Sequence, residues 1–199
     1  IASIGRASLS AVTVVNNSAG NAGGIASDGG SATTKNTLIA ANNASGADVD
    51  VRGVFVSAGN NLVGDVGSAS GLIHGENDDQ VGSPTSPFDP VIDLTLRDNG
   101  GPTRTHRLLP SSPAIGTGDN TGGGDTTDQR GSKRPANDDS DIGAFELAFL
   151  NLVTSDVSLV EGSTGAQVVD VPVILSATSV EEVTVAYTTV DGTAFQGSD

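Results

Sequence analysis

The sequence predicts an all-β protein, and three observations support this prediction. The chain has 27 glycines and 8 prolines among 199 residues, so turn-forming residues are frequent. Its apolar fraction of 36% is too high for a fully disordered chain, and its aromatic fraction of 3% excludes a large aromatic core. Short runs of β-branched residues alternate with glycine-rich segments. These features together indicate an ordered protein of short strands and many turns.

The first 75 residues contain a loose internal repeat. Asparagine pairs occur at Asn16-Asn17, Asn42-Asn43 and Asn60-Asn61, spaced 26 and 18 residues apart, beside β-branched runs at 12–15, 37–40 and 54–56. Short strands at this pitch are typical of solenoid coils, in which asparagine at equivalent turns can bond to the next coil. We therefore predict a right-handed parallel β-helix for residues 1–75. A series of hairpins with asparagine in the turns is the alternative.

Residues 76–150 have a different composition, with more charge and proline and few β-branched runs. Turn signals punctuate the segment, and only Val91 to Leu96 is predicted as a clear strand. A long irregular segment at the end of a solenoid is expected to cover the last open coil. We therefore predict an irregular C-terminal cap for the β-helix.

Residues 151–199 alternate strictly between apolar and polar positions. Val169, Val171, Val173 and Leu175 fall on one face of a strand, and a second alternating run follows at 183–187. This pattern predicts half-buried antiparallel strands, too few to close a sandwich. No basic-then-apolar leader follows Ile1, and Asp199 closes no recognisable element. We therefore expect both ends of the chain to be cuts through a longer polypeptide, with the remainder of that polypeptide as a partner.

Charge and composition exclude several kinds of partner. The chain has 24 acidic and 9 basic residues, for a net charge of −15, which disfavours nucleic acid. Cysteine is absent, which excludes disulfides, thiolate nucleophiles and cysteine-bound metals. The longest strongly apolar stretch, around Ala144 to Val153, carries Glu146 and is far shorter than the roughly 20 residues of a membrane helix. We predict no direct membrane insertion.

Five ordered motifs between residues 99 and 146 resemble a known signature. They are Asn99-Gly-Gly-Pro-Thr-Arg-Thr-His-Arg-Leu-Leu-Pro110, Ser112-Pro-Ala-Ile115, Thr127-Asp-Gln-Arg-Gly131, Arg134-Pro135 and Asp141-Ile-Gly-Ala-Phe-Glu146. This order is similar to the C-terminal signature of bacterial surface β-helix proteins of the choice-of-anchor type. The sequence departs from that signature at Gly116, where aspartate commonly follows. The resemblance implies a β-helix end at a bacterial cell surface.

A second resemblance concerns residues 151–199. Val160-Glu161-Gly162, the run 183–187, Asp191-Gly-Thr-Ala194 and Gly197-Ser-Asp199 are similar to motifs of Calx-β domains. The resemblance implies the first half of an immunoglobulin-like sandwich. It also implies Glu161 and Asp199 as Ca²⁺ ligands. These two carboxylates alone form an incomplete site, because Ca²⁺ takes 6–8 oxygen ligands.

Candidate catalytic residues are few. The two histidines, His74 and His106, lie in no recognisable nucleophile motif, and a structural hydrogen bond is the predicted role of His106. The acidic runs Asp78-Asp79 and Asp138-Asp139-Asp141 are interpreted as solvated charge. Arg130 and Arg134, with Asp128 and Asp141 nearby, are predicted to form ion pairs in the cap. No catalytic residue is predicted.

These observations predict a non-enzymatic structural or adhesive protein of the bacterial surface or exterior. Filament or matrix formation, and contact with neighbouring subunits or surface glycans, are the expected uses of a long repetitive face. The alternative is a polysaccharide-acting or carbohydrate-binding β-helix whose active groove lies upstream. One tyrosine, five phenylalanines and no tryptophan argue against sugar stacking within this chain.

Overall fold

A computed structural model describes residues 5–121, 125–135, 139–160, 168–176 and 183–190, and all regular structure within them is β. The prediction of an all-β protein is therefore confirmed. The chain divides into two compact units, Ile1–Phe149 and Leu150–Asp199. No helix that could cross a membrane occurs in the part of the chain that the structure describes.

The strands of the first unit are short. In chain order they are β1 (Arg6–Ser10), β2 (Thr13–Val15), β3 (Ser18–Ala19), β4 (Ile25–Lys35), β5 (Leu38–Ala40), β6 (Asn43–Ala44), β7 (Val51–Ser57), β8 (Leu62–Val63) and β9 (Gln80–Val81). The runs predicted from β-branched residues at 12–15, 37–40 and 54–56 coincide with β2, β5 and β7.

Every strand pair in the first unit is parallel, among the residues that the structure describes. The strand orders are β1-β4-β7, β2-β5-β8-β9 and β3-β6. The segment that contains β1, β2 and β3 is here called coil 1. The segment with β4, β5 and β6 is coil 2, and the segment with β7 and β8 is coil 3. Coil 2 adds one strand to each of the three sheets, and coil 3 adds one strand to the first two. The second sheet, here the central sheet, continues to β9, beyond the predicted start of the cap at residue 76.

The strands end where a residue adopts the left-handed conformation. Ala11, Asn36 and Asn60 occupy one corner of successive coils, and Asn16 and Ala41 occupy the next corner, all with φ between 47° and 56°. A left-handed residue bends the chain out of the strand, and asparagine tolerates this conformation better than most residues. The asparagine-rich turns therefore set the length of each strand.

The central sheet is buried on both faces. Val14, Ile39 and Val63 point into the coils and join a core that includes Ile25, Val51 and Phe55. Their neighbours Val15, Leu38 and Leu62 point outward into a second core. Two buried faces explain why these strands are continuously apolar rather than alternating.

The outer face of the central sheet is covered by residues from the described ranges 84–121, 125–135 and 139–147, here the lateral layer. Its buried residues Ile92, Leu108, Ile142 and Phe145 pack on Leu38 and Leu62. The sequence prediction placed this segment over the last open coil. The structure places its apolar residues on the flank of the stack instead, because the outward residues of the central sheet are themselves apolar.

The predicted strand from Val91 to Leu96 does not form, and this prediction was wrong. The structure has only isolated antiparallel bridges nearby, Ile92 with Leu108 and Arg97 with Thr105. The carboxylates of Asp89 and Asp93 each accept the backbone N–H two residues ahead, at Val91 and Thr95. Such local turns compete with extended pairing.

The second unit contains β10 (Leu152–Thr154) and β11 (Val173–Leu175), which pair antiparallel. The predicted longer strands at 169–175 and 183–187 are not found: β11 covers only the end of the first, and residues 183–190 form no strand. The apolar residues here are solvent-exposed, with Val153 at 54% and Ile174 at 60%. Exposure on both strands shows that this pair buries no apolar face.

Candidate functional site

The second corner of coils 1 and 2 is closed by stacked asparagine side chains. Asn42 Oδ1 accepts the backbone N–H of Asn17 at 3.0 Å, and Asn42 Nδ2 donates to Val14 O at 2.9 Å and to Ala40 O at 3.2 Å. Asn42 therefore bonds coil 2 to coil 1. This contact is the stacking that the sequence predicts for asparagine at equivalent turns.

The Asn60-Asn61 pair lies at a different corner from the other two pairs. Asn61 Oδ1 accepts the N–H of Thr37 at 3.2 Å, and Asn61 Nδ2 donates to Thr34 O at 3.1 Å. The 18-residue spacing to this pair is therefore not a coil length. Asn42 and Asn61 instead bond neighbouring coils at opposite ends of the central sheet. We call these two sets of hydrogen bonds, Asn42 with Asn17 and Val14, and Asn61 with Thr37 and Thr34, the asparagine ladders.

Each ladder ends on a buried aspartate. Asp50 Oδ1 accepts the N–H and the Nδ2 of Asn42, and Asp50 Oδ2 accepts the N–H of Asp65. Asp79 Oδ1 accepts hydrogen bonds from the backbone N–H and from the side-chain Nδ2 of Asn61, each at 2.9 Å. Asp79 is 2% exposed, so the interpretation of Asp78-Asp79 as solvated charge holds only for the exposed Asp78. Burial raises the pKa of Asp50, opposed by its hydrogen bonds from Asn42.

A buried ionic cluster, here the ionic anchor, holds the end of the lateral layer. Arg134 Nε lies 2.9 Å from Glu146 Oε2, and Arg134 Nη2 donates to the carbonyls of Asp141 and Gly143. Arg130 pairs with Asp128 at 2.7 Å and stacks 3.7 Å above the ring of Phe145.

The predicted ion pair of Arg130 with Asp128 is confirmed by this geometry. Arg134 instead pairs with Glu146 and reaches only the backbone of Asp141. The carboxylate of Asp141 accepts N–H groups from Gly116 at 2.9 Å and Leu147 at 2.5 Å. The resembled signature commonly has aspartate at the position of Gly116. Here Gly116 contacts the Asp141 carboxylate through its backbone N–H, and this contact requires no side chain.

Asp141 is an unusually placed carboxylate. Burial raises its pKa to about 6, with the nearby Glu146 adding to the rise, while the N–H groups of Leu147 and Gly116 and the charge of Arg134 oppose it. Its side chain is 1% exposed, so the interpretation of this aspartate as solvated charge was wrong. Asp139 is exposed, and Asp138 lies outside the described residues.

A groove of about 680 Å³, here the coil-1 groove, includes Phe145 in its lining, the residue on whose ring Arg130 of the ionic anchor stacks. Its floor follows the consecutive residues of β2, β3 and the turn to Gly24. The facing wall carries Arg104, His106, Gln129 and Phe145 from the lateral layer. The groove therefore lies between the edge of coil 1 and the lateral layer.

His106 is held in one orientation at this wall. Its Nδ1 lies 2.9 Å from the backbone carbonyl of Asp93. A carbonyl only accepts hydrogen bonds, so Nδ1 carries the proton and donates. The predicted structural hydrogen bond of His106 is confirmed. His74 is elsewhere, with its Nδ1 accepting the N–H of Val81 and its ring 6.1 Å from that of Phe88.

The predicted Ca²⁺ ligands Glu161 and Asp199 both lie outside the described residues, so their role stays a prediction. Within the described ranges, no three His, Cys, Asp or Glu side chains come together in a way that could hold a metal ion.

Comparisons with protein families, with curated proteins and with solved structures found no match to this chain.

Sequence reasoning missed the groove and three of its wall residues. Arg104 and Phe145 belong to the quoted motifs, but nothing in those motifs indicates that they face coil 1. Gln129 likewise meets the groove only because the lateral layer folds back across more than 80 residues onto β2. Long-range proximity of this kind leaves no local pattern in a single sequence.

Proposed function

We propose that this protein is a non-enzymatic structural or adhesive component of a bacterial surface or exterior, with the first unit serving as a rigid parallel β-helix. The observation that supports the proposal best is the parallel pairing of the described strands β1 to β9, which successive coils contribute to three sheets. Such a stack presents a long face with few mobile loops, which suits a spacer or a contact surface.

Internal bonding of the coils supports rigidity. The two asparagine ladders bond neighbouring coils through buried side chains, and the lateral layer buries the outer face of the central sheet. Buried side-chain hydrogen bonds are strengthened by the low-dielectric interior and favour one arrangement of the coils. The first unit is therefore suited to carry load or to hold a surface in place.

Surface labelling tests the location. An antibody against the first unit should label intact, unpermeabilised source cells, and brief protease treatment of those cells should remove the label. A control antibody against a cytoplasmic protein should label only permeabilised cells. Labelling of the protein only after permeabilisation would contradict the proposal.

The alternative function, action on a polysaccharide, predicts a different result. Purified protein incubated with polygalacturonate would then release reducing ends or unsaturated products. We expect no release, because the coil-1 groove contains no pair of carboxylates among its described lining residues, and glycoside hydrolysis normally requires such a pair.

For the second unit we propose a Calx-β-like module that binds Ca²⁺ through Glu161 and Asp199. The antiparallel pairing of β10 with β11 is consistent with the start of a sandwich. Calorimetric titration with Ca²⁺ of a protein that continues past Asp199, so that the sandwich and its remaining oxygen ligands are complete, tests this part. Saturable heat that is lost in Glu161→Gln but kept in the matched variant Asp170→Asn supports it, and the absence of heat refutes it.

A further inference from the structure

We propose that the ionic anchor is a proton-controlled latch. With a proton on Asp141, residues 141–147, here the latch segment, stay closed on the first unit, and loss of that proton raises the population of an open form. This inference rests on the geometry of the first unit and goes beyond the structural role proposed above. Failure of either proposal leaves the other standing.

The charges buried in the anchor provide the first argument. Three carboxylates and two guanidiniums lie there, those of Asp128, Asp141, Glu146, Arg130 and Arg134. The side chains of Asp128 and Glu146 are 0% exposed, those of Arg130 and Arg134 are 14% and 3% exposed, and Asp141 is 1% exposed. The two arginines pair with Asp128 and Glu146, and no ion pair to Asp141 occurs among the described residues. The fully ionised anchor therefore has one excess negative charge.

A proton on Asp141 removes this excess charge. An uncompensated charge in the interior is costly, and a carboxylate avoids the cost by binding a proton or by reaching water. Burial raises the pKa of Asp141 to about 6, and the charge of Glu146 adds to the rise. The N–H groups of Leu147 and Gly116 and the charge of Arg134 oppose it.

Other elements packed on the latch segment bring no cation to Asp141 in the described part of the chain. They contribute the backbone N–H of Gly116, the hydroxyl of Thr13 on β2 and the side chain of Leu38 on β5. The charges of Asp128 and Arg130 are already paired with each other at 2.7 Å. The excess charge is therefore not balanced by these neighbours.

The Asp141 carboxylate is also the tie that closes the latch segment. Its Oδ2 accepts the N–H of Leu147 at 2.5 Å, at the end of the segment, and its Oδ1 accepts the N–H of Gly116 at 2.9 Å, in a separate turn. The latch segment forms no strand, and residues 148–150 after it are exposed. It can therefore separate from the central sheet while the coils stay paired.

Protonation and opening of the latch are linked. In the closed form the pKa of Asp141 is about 6, and in an open form the hydrated carboxyl returns to its ordinary value of 3.8. Between these pH values the closed form holds a proton that the open form has released. The equilibrium constant for opening should therefore rise about tenfold per pH unit, about a hundredfold in all, and stay constant above pH 6.

Amide hydrogen exchange of the full chain, followed by NMR from pH 4 to 8, tests the latch. The protection factor of the Leu147 amide, which corrects for the intrinsic pH dependence of exchange, should fall about a hundredfold up to pH 6 and then level off. The Leu38 amide, which donates to Val12 O at 2.8 Å, should be more protected at every pH. Constant protection of Leu147 overturns the proposal. Equal protection of both amides overturns it too, because Leu147 would then exchange only when the whole unit unfolds.

Matched variants assign the effect to Asp141. In Asp141→Asn the protection of Leu147 should be the same from pH 4 to 8, because an amide does not titrate. Asp139→Asn removes an exposed carboxylate two residues earlier and should keep the profile of the unchanged protein. A pH-dependent profile in Asp141→Asn, or a flat one in Asp139→Asn, would assign the switch to another group and overturn the latch.

The ¹³C chemical shift of the Asp141 carboxyl provides a readout that needs no variant. Its titration midpoint in the unchanged protein should lie near pH 6, where the protection of Leu147 levels off. A midpoint near pH 4 would show that the closed anchor holds the ionised carboxylate without penalty, and would overturn the proposal. If Asp141→Asn does not fold, this titration and the exchange profile of the unchanged protein still decide the question.

Discussion

At the scale of single residues, the ionic anchor places oppositely charged side chains in the protein interior. The side chains of Arg134 and Glu146 are 3% and 0% exposed, so each charge depends on its partner. Removing one member of such a pair leaves an uncompensated charge in the interior. Asp141, a few ångströms away along the same hydrogen-bond network, adds a second carboxylate to this buried site.

Replacement of Arg134 tests the anchor. Arg134→Met leaves the Glu146 carboxylate buried without its cation, so the free energy of unfolding should fall by about 3–5 kcal/mol in urea denaturation. The control is Arg97→Met, because the Arg97 side chain is 62% exposed, and the urea midpoint of this variant should barely move. Similar midpoints for the two variants would contradict the anchor.

Asp141 predicts a pH dependence of stability. Its pKa is raised from 3.8 to about 6 in the folded protein. Between these values the folded state holds a proton that the unfolded state has released, so this group's contribution to stability falls as pH rises from about 4 to about 6.

Urea midpoints at several pH values measure this contribution. The free energy of unfolding of the unchanged protein minus that of Asp141→Asn should fall as pH rises from about 4 to about 6. Above pH 6 this difference should be constant. A difference that grows as pH rises would contradict the assignment. Comparing the two proteins at each pH cancels the contributions that the other carboxylates make to stability in both proteins. Asp50, whose pKa is also raised, is one of these carboxylates.

At the scale of elements, the asparagine ladders and the central sheet decide how the coils are joined. Asn42 has four hydrogen-bonding partners beyond its own residue at one corner, the backbone of Asn17, Val14 and Ala40 and the side chain of Asp50. Its neighbour Asn43 is exposed on β6. Adjacent asparagines thus differ completely in role.

Paired substitutions test this difference. Asn42→Ala should lower the free energy of unfolding by roughly 1–3 kcal/mol, because buried carbonyls and a carboxylate lose their donor. Asn43→Ala should have little effect. Equal effects in thermal or urea melts would show that the ladder does not stabilise the coils.

The two-sided burial of the central sheet gives a second prediction for elements. Leu38 points away from the coils and is fully buried by the lateral layer. Leu38→Ala should cost about 2–5 kcal/mol and expose residues 84–147 to limited proteolysis. Val56→Ala, at an outward position 49% exposed, should be nearly neutral. A neutral Leu38→Ala would mean that the lateral layer does not pack there.

At the scale of the whole molecule, the two units differ in how much they bury. Every buried residue among those described lies at or before Leu147. The second unit has three-residue strands and exposed valines. Cooperative stability is therefore expected to reside in the first unit.

Truncation checks this expectation. A protein of residues 1–149 should melt at the same temperature as the full chain, since none of the described residues that it lacks is buried. Scanning calorimetry of both chains measures it. A markedly lower melting temperature for the shorter chain would show that residues 150–199 stabilise the first unit.

The sequence alone determined the all-β class and the positions of several short strands. The β-branched runs between glycine-rich turns located β2, β5 and β7, because these signals act within a few residues. The repeat did not show that β7 belongs to a different sheet from β2 and β5. Asparagine at the turns was predictable for the same reason. The Arg130 to Asp128 pair was also predictable, since its members are two residues apart.

Only the tertiary structure decided the rest. Local pattern cannot show that the lateral layer covers the flank of the central sheet, or that Asp79 and Asp141 are buried while Asp78 and Asp139 are exposed. It also cannot show that Arg104 and Gln129 meet the edge of coil 1. These outcomes depend on which apolar faces meet across long sequence separations. Burial then sets the hydrogen bonding and the pKa of each polar group.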